Sequence, residues 1–187
     1  MNLRKMPKLN FFPTPIWPIK IDLDIKEDLQ KFVEKTPSVS KSNIGGYQAP
    51  DFKNEKFFNA VQANVPTIKD KPFKIVSLYS WVNVNRKDDY NDRHTHNSTD
   101  TLLSGCYYSS VPPNGGKIKF YDPRGPLMLG NTFNNYFNIP EYIHITPING
   151  LMLFFPPWLD HSVEPNQSYV ERIAVSFNIL KIKYEKT

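Results

Sequence analysis

From Phe73 onward, apolar and polar residues alternate with a period of two, whereas upstream the apolar positions recur at helical spacing. Residues i and i+2 share a face on an extended backbone, and residues i, i+3 and i+4 share one on a helix. The alternation predicts strands at Phe73–Asn85, with Trp81, Asn83 and Asn85 on one face, and at Thr101–Val111. The turn Asn114-Gly115-Gly116 leads into a strand at Lys117–Tyr121, and further strands are expected at Tyr142–Thr146, Gly150–Phe155 and Tyr169–Ile182. Between them, Asp122–Pro140 is rich in Pro, Gly and Asn and lacks periodicity. Loops longer than about 12–15 residues inside a compact domain are usually functional or mobile, so this one is expected to border the site.

The first third reads differently. Pro13, Pro15 and Pro18 reduce the apolar stretch Phe11–Asp24 to an edge strand or an arm lying on the body. Asp24 reads as the N-cap of an amphipathic helix over Ile25–Lys35, and a second short helix is expected over Asn54–Asn64. Ser42–Gln48 reads as a glycine-containing loop. Short strands separated by turn signals indicate an antiparallel sandwich or barrel. The simplest assembly is mainly β: a double-sheet jelly roll with two N-terminal helices packed on it. One domain would span 1–187, with 1–72 as arm and supporting helices and 73–182 as the core.

Composition changes this picture little. At 40% hydrophobic and 22% charged the chain is ordinarily globular, and its net charge of +5 is modest. The excess sits at the two ends (Arg4, Lys5, Lys8, then Lys181, Lys183, Lys186), as solvated tails, and no nucleic-acid motif is present. A single cysteine, Cys106, excludes an internal disulfide and suits a reducing compartment. No apolar run reaches the length of a membrane helix. Prolines interrupt the stretch where a signal peptide would need its apolar segment, so the protein is read as cytoplasmic. Oligomeric state is not legible; a homodimer is compatible with the chain.

The candidate chemistry lies in the histidines. Three of the four fall in His94-Thr95-His96 and Asp160-His161. If extended, the first pair presents two imidazoles on one face, and a third from a neighbouring strand completes three metal ligands with positions left open. Neutral imidazole suits Fe, Zn, Cu and Ni alike, so the ligands do not choose the metal. An isolated His-x-His is more often two solvent-facing side chains; the third histidine is what shifts the reading. His144, between Ile143 and Ile145, is read as structural or surface, and Cys106 as a buried thiol. Trp158 either walls the pocket or packs.

A second signal follows eleven residues after His161. In Arg172–Asn178, Arg172, Ala174, Ser176 and Asn178 share one face, and Ile173, Val175 and Phe177 the other. If the first face looks into the barrel, Arg172 is a desolvated guanidinium needing an anion, and its planar fork matches a carboxylate. The plainer alternative is a structural ion pair with Asp or Glu.

Taken in order, His94-Thr95-His96, Leu103-Ser104-Gly105-Cys106-Tyr107-Tyr108, Gly116, Phe120, Gly150–Pro156, His161 and Arg172 resemble the Fe(II)- and 2-oxoglutarate-dependent oxygenases. The likeness is to the small prolyl-hydroxylase-like branch of marine bacteria and phages, and it covers roughly 73–182. It implies a double-stranded β-helix, cupin-like, that binds Fe(II) and 2-oxoglutarate, uses O₂, and hydroxylates a small-molecule or peptidyl substrate while forming succinate. It further implies His94, His96 and His161 as metal ligands and Arg172 as anchor of the distal carboxylate. Tyr108, Ser104 and Ser176 would line the cosubstrate pocket, and Asn83 and Asn85 would help order it. His96 stands where most members carry aspartate. Asp92, Asp100 and Asp160 are alternative carboxylate donors, although the i, i+2 geometry favours His96. If viral, the protein would work in the host cytoplasm. Two other classes stay open on the residues alone: a silent jelly-roll binding protein, and a cupin-like three-histidine metalloenzyme that does not use 2-oxoglutarate.

Overall fold

A computed structural model describes residues 13–67, 73–96, 100–124, 132, 135 and 139–184. Among them the elements run β1 (Trp17–Lys20), α1 (Lys26–Lys35), β2 (Asn43–Ile44), β3 (Tyr47–Ala49), α2 (Glu55–Asn64) and β4 (Phe73–Asn85). Then follow β5 (Tyr90–His94), β6 (Leu103–Ser110), β7 (Ile118–Tyr121), β8 (Tyr142–Ile145), β9 (Leu151–Phe155), β10 (His161–Val163) and β11 (Arg172–Tyr184). They form two sheets, ordered β1-β9-β6-β11-β4-β3 and β2-β5-β10-β7-β8. Every strand pair is antiparallel. The protein is therefore mainly β with antiparallel sheets. No helix among the described residues is long and apolar enough to cross a membrane.

The larger sheet is covered on both faces, which explains the unbroken burial of β9 and most of β6. On its outer side, Leu29 of α1 and Phe57 and Val61 of α2 join Val82, Tyr107, Phe154, Val175 and Phe177 in one cluster. The Phe57 ring meets that of Phe177 edge-on at 5.7 Å. On its inner side, Tyr108, Leu153, Phe155 and Ala174 pack with Ile118 and Phe120 of the smaller sheet. The alternation along β11 thus sends Val175 and Phe177 to the helices and Ala174 to the space between the sheets. Arg172 shares that inner face and is 1% exposed.

The proline-broken arm supplies β1, an edge strand on β9, where the missing proline N–H costs no ladder bond. Four short strands escape a reading by periodicity. Ser42–Gln48 contains β2 and β3 rather than a plain loop, and the polar run before His94 becomes β5. β10 has three residues, too few to show a period. Asp24 does not cap α1: Ile25 holds that position without a side-chain bond, whereas Asn54 caps α2 by accepting from Phe57 N at 2.9 Å. Most of the loop expected to border the site lies outside the described residues.

Candidate metal and cosubstrate site

The two sheets contribute different chemistry to the cleft between them. In the smaller sheet, β5 and β10 are neighbours and their register sets His94 directly opposite His161. His96 lies two residues past β5, where its backbone N–H donates to Pro157 O at 2.8 Å. The ring centroids stand 4.3 Å apart for His94–His161, 4.9 Å for His96–His161 and 5.2 Å for His94–His96. One ligand nitrogen from each lies within 4.8 Å of the others, so three donors converge on one spot, and no carboxylate among the described residues joins them. β5 does begin early enough to include Asp92, yet the Asp92 carboxylate is exposed and accepts from Arg93 N. The Asp160 carboxylate is held by the Arg93 guanidinium at 2.7 Å.

Ring orientation decides whether such a cluster can hold a metal. His94 Nδ1 lies 2.6 Å from Asp92 O and His161 Nδ1 lies 2.9 Å from Leu159 O. A carbonyl only accepts, so both Nδ1 atoms carry the proton and both Nε2 lone pairs are free. His96 Nδ1 lies 3.0 Å from Ser104 Oγ, whose hydroxyl donates to Asn178 Oδ1 at 2.8 Å. Burial lowers the pKa of all three imidazoles, His96 to about 4 and His161 well below its usual value; His94 further opposes the charge on His96, and His94 and His96 together oppose that on His161. Three neutral imidazoles with free Nε2 atoms fit a divalent cation.

The pKa shifts also fix a pH response. Because the folded-state values lie below the unfolded value near 6.5, the unfolded chain binds more protons as acid is added. Stability is whole above about pH 6.5 and falls as the pH drops from there toward 4. At His96 the full effect is about 3 kcal/mol, before smaller structural adjustments. Thermal melts of metal-free protein should therefore drop steeply between pH 6.5 and 4, and a His96→Gln variant should lose part of that slope.

The larger sheet supplies the polar wall. A cavity lies between the sheets, lined by all three histidines and by Arg172, Tyr108, Ser176, Asn83 and Asn85. Arg172 Nη1 donates to Gly115 O and, at 3.3 Å, to Glu164 O, and no carboxylate among the described residues forms an ion pair with it. Gly116, at φ +83°, permits this approach, since a Cβ there would sit 2.8 Å from Arg172 Nη1 and 2.3 Å from Glu164 O. Tyr108 is buried beside it, its phenol pushed well above the ordinary range by burial, and burial raises the Cys106 thiol to about 12. Asn83 Nδ2 donates to Ser176 Oγ at 3.0 Å, while Asn83 Oδ1 is buried with no partner. Turning that amide over would let Ser176 donate to the oxygen and leave Nδ2 to donate into the cavity. An orphaned buried amide and an arginine without a carboxylate are the features expected of a wall that receives an anion.

Not every residue singled out from the sequence faces the cavity. Ser104 is wholly buried and bonded to His96 and Asn178 instead. His144 pairs with Glu164 at 2.9 Å on β8, and Trp158 is 44% exposed. Four contributors were not assigned from the sequence. Asn91 and Ser42 line the cavity and are linked at 3.3 Å, with Asn85 Nδ2 3.5 Å from Asn91 Oδ1. Asn178 supports Ser104; its place on the Arg172 face of β11 was the available signal. Trp81 completes the wall, its ring 5.3 Å from that of His96.

The family described as "Putative 2OG-Fe(II) oxygenase" matches residues 79–178, which run from within β4 into β11 and include the three histidines and Arg172. The chain belongs to the 2-oxoglutarate- and Fe(II)-dependent oxygenases. No curated protein sequence matches it. Among solved structures, it is similar to a Pseudomonas putida prolyl-4-hydroxylase (10% identity, TM-score 0.63, covering 90% of this chain and 93% of that one). It is also similar to HygX from Streptomyces hygroscopicus with nickel, 2-oxoglutarate and hygromycin B bound (13%, 0.58, 88% and 82%). A third likeness is to a Trichoplax adhaerens prolyl hydroxylase in complex with a hypoxia-inducible-factor peptide fragment (15%, 0.60, 88% and 83%). At these identities the likeness is one of fold.

Proposed function

We propose that this oxygenase holds Fe(II) on His94, His96 and His161 and anchors 2-oxoglutarate on Arg172. The observation that carries the proposal is the pairing of three convergent neutral imidazoles with a buried guanidinium that forms no ion pair with a carboxylate among the described residues, across one cleft. The two sheets are proposed to form one double-stranded β-helix, cupin-like, with α1 and α2 on the outside of the larger sheet, in a single domain. When bound, Fe(II) with 2-oxoglutarate and O₂ supplies the oxidative decarboxylation, to succinate and CO₂, that hydroxylates a C–H bond.

The chain's own residues bind, orient and exclude water. The Asp92 and Leu159 carbonyls aim the His94 and His161 lone pairs into the cleft. Arg172 offers its remaining N–H donors to a carboxylate, and Tyr108 stays a neutral donor beside it because burial disfavours the phenolate. Asn83, backed by Ser176, contributes a further amide to the same wall, and Asn85 with Asn91 closes its far side. Phe155, Phe120 and Trp81 keep the histidines against apolar surface, which strengthens every polar interaction within. The primary substrate is proposed to be a small molecule or a peptidyl segment, the two kinds held by similar structures, and the protein to act in the cytoplasm.

Purified protein should convert 2-oxoglutarate to succinate only when Fe(II) is supplied, slowly without primary substrate and faster with it. Succinate formed equally with the metal chelated would contradict the proposal.

A further inference from the structure

We infer that Ser104 and Asn178 form a positioning relay that makes His96 a competent metal ligand. The inference rests on the metal site proposed above and concerns how one of its ligands is held. His94 and His161 are each oriented from within their own chain segment, through the carbonyl two residues earlier. His96 has no such support. Its Nδ1 is met from the opposite sheet by Ser104 Oγ at 3.0 Å, and Ser104 in turn donates to Asn178 Oδ1 at 2.8 Å.

The register builds this arrangement. Ser104 of β6 and Asn178 of β11 are direct cross-strand partners, so both side chains leave the larger sheet at the same height and on the inner face. Ser104 is 0% exposed, and its hydroxyl has one proton to give. With that proton committed to Asn178 Oδ1, the Ser104 oxygen can only accept from His96, which places the proton on Nδ1 and leaves Nε2 bare. Without the relay the ring is free to carry its proton on Nε2, the nitrogen that must bind the metal. The relay also ties the one ligand that lies beyond the end of β5 to a rigid pair of strands. It therefore fixes position as well as tautomer.

Histidine supports of this kind are worth about 10- to 100-fold in metal affinity. Calorimetric titration of metal-free protein with Co(II) should show Ser104→Ala and Asn178→Leu each weakening binding by about that factor. Asn178→Asp, which keeps an acceptor in place, should stay within roughly threefold of wild type, and nitrogen NMR of metal-free wild type should show His96 as the Nδ1–H tautomer. In a His96→Asp background, where the ligand has no ring tautomer, Ser104→Ala should cost less than about threefold. Equal Co(II) affinity of wild type and both single variants overturns the relay, as does an undiminished cost in the His96→Asp background. An Nε2–H tautomer of His96 in wild type overturns it too. Should Ser104→Ala melt markedly lower than wild type, Asn178→Leu, at a half-buried position, reads the same relay without altering β6. Wild type that fails to bind Co(II) overturns the metal site and the relay together, whereas binding that ignores Ser104 and Asn178 overturns the relay alone.

Discussion

Replacing Arg172 by alanine is expected to raise the apparent KM for 2-oxoglutarate by about 100-fold while Fe(II) or Co(II) binding survives. Hydrogen bonds to charged groups contribute about 1.5–3 kcal/mol each, and a forked pair on one carboxylate reaches the upper part of that range. Arg172 is also buried and bonded to the Gly115 and Glu164 carbonyls, so the variant should melt lower as well. Arg172→Lys separates the two effects. It keeps the charge but loses the fork, and should fall between wild type and Arg172→Ala in KM. The check is initial-rate succinate formation against 2-oxoglutarate concentration, with Co(II) titration of the same samples. An unchanged KM in Arg172→Ala would show that the cosubstrate is anchored elsewhere.

Replacing His161 by alanine should abolish metal binding and turnover together, with affinity down by at least about 1000-fold. His161 is the most buried of the three, faces His94 across the β5–β10 pair, and packs its ring 4.9 Å from that of Phe155. Two remaining imidazoles make a far weaker chelate than three, and the vacated space between Phe155 and Phe120 admits water. The variant should nevertheless fold, because it removes a buried polar group rather than a large apolar one, and its melting temperature should depend less on pH below 6.5. Retained turnover in a folded His161→Ala protein would exclude it from the site.

Much of this was legible in the sequence, and what was not has physical reasons. β4 and β11 are 13 residues each, long enough for alternation to show both the strand and its two faces, so the grouping of Arg172 with Ser176 on one face of β11, and of Asn83 with Asn85 on one face of β4, follows from pattern alone. β5 was hidden because its residues are polar on both faces: Asn91 is buried in a network with Ser42 and Asn85, and Asp92 and Arg93 are exposed. β2, β3 and β10 are only two or three residues long and exist because longer neighbours hold them. The i, i+2 argument placed His96 beside His94, although His96 lies beyond the strand and is fixed by Pro157 O and Ser104 instead. Ser104 stood out for its place on the strand face it shares with Tyr108; only the three-dimensional register reveals that it touches an imidazole. Whether a buried hydroxyl meets a cosubstrate or a ligand depends on which sheet lies opposite, and periodicity carries no information about that.

The central claim is that the three histidines and Arg172 serve one bound assembly across the cleft. A crystal structure of the protein with Mn(II) and 2-oxoglutarate, prepared without oxygen, tests it most directly. It should show the metal on the Nε2 atoms of His94, His96 and His161, with the distal carboxylate of 2-oxoglutarate on Arg172. A metal held by the carboxylate of Asp92 or Asp160 in place of His96, or 2-oxoglutarate lying away from Arg172, would contradict the account.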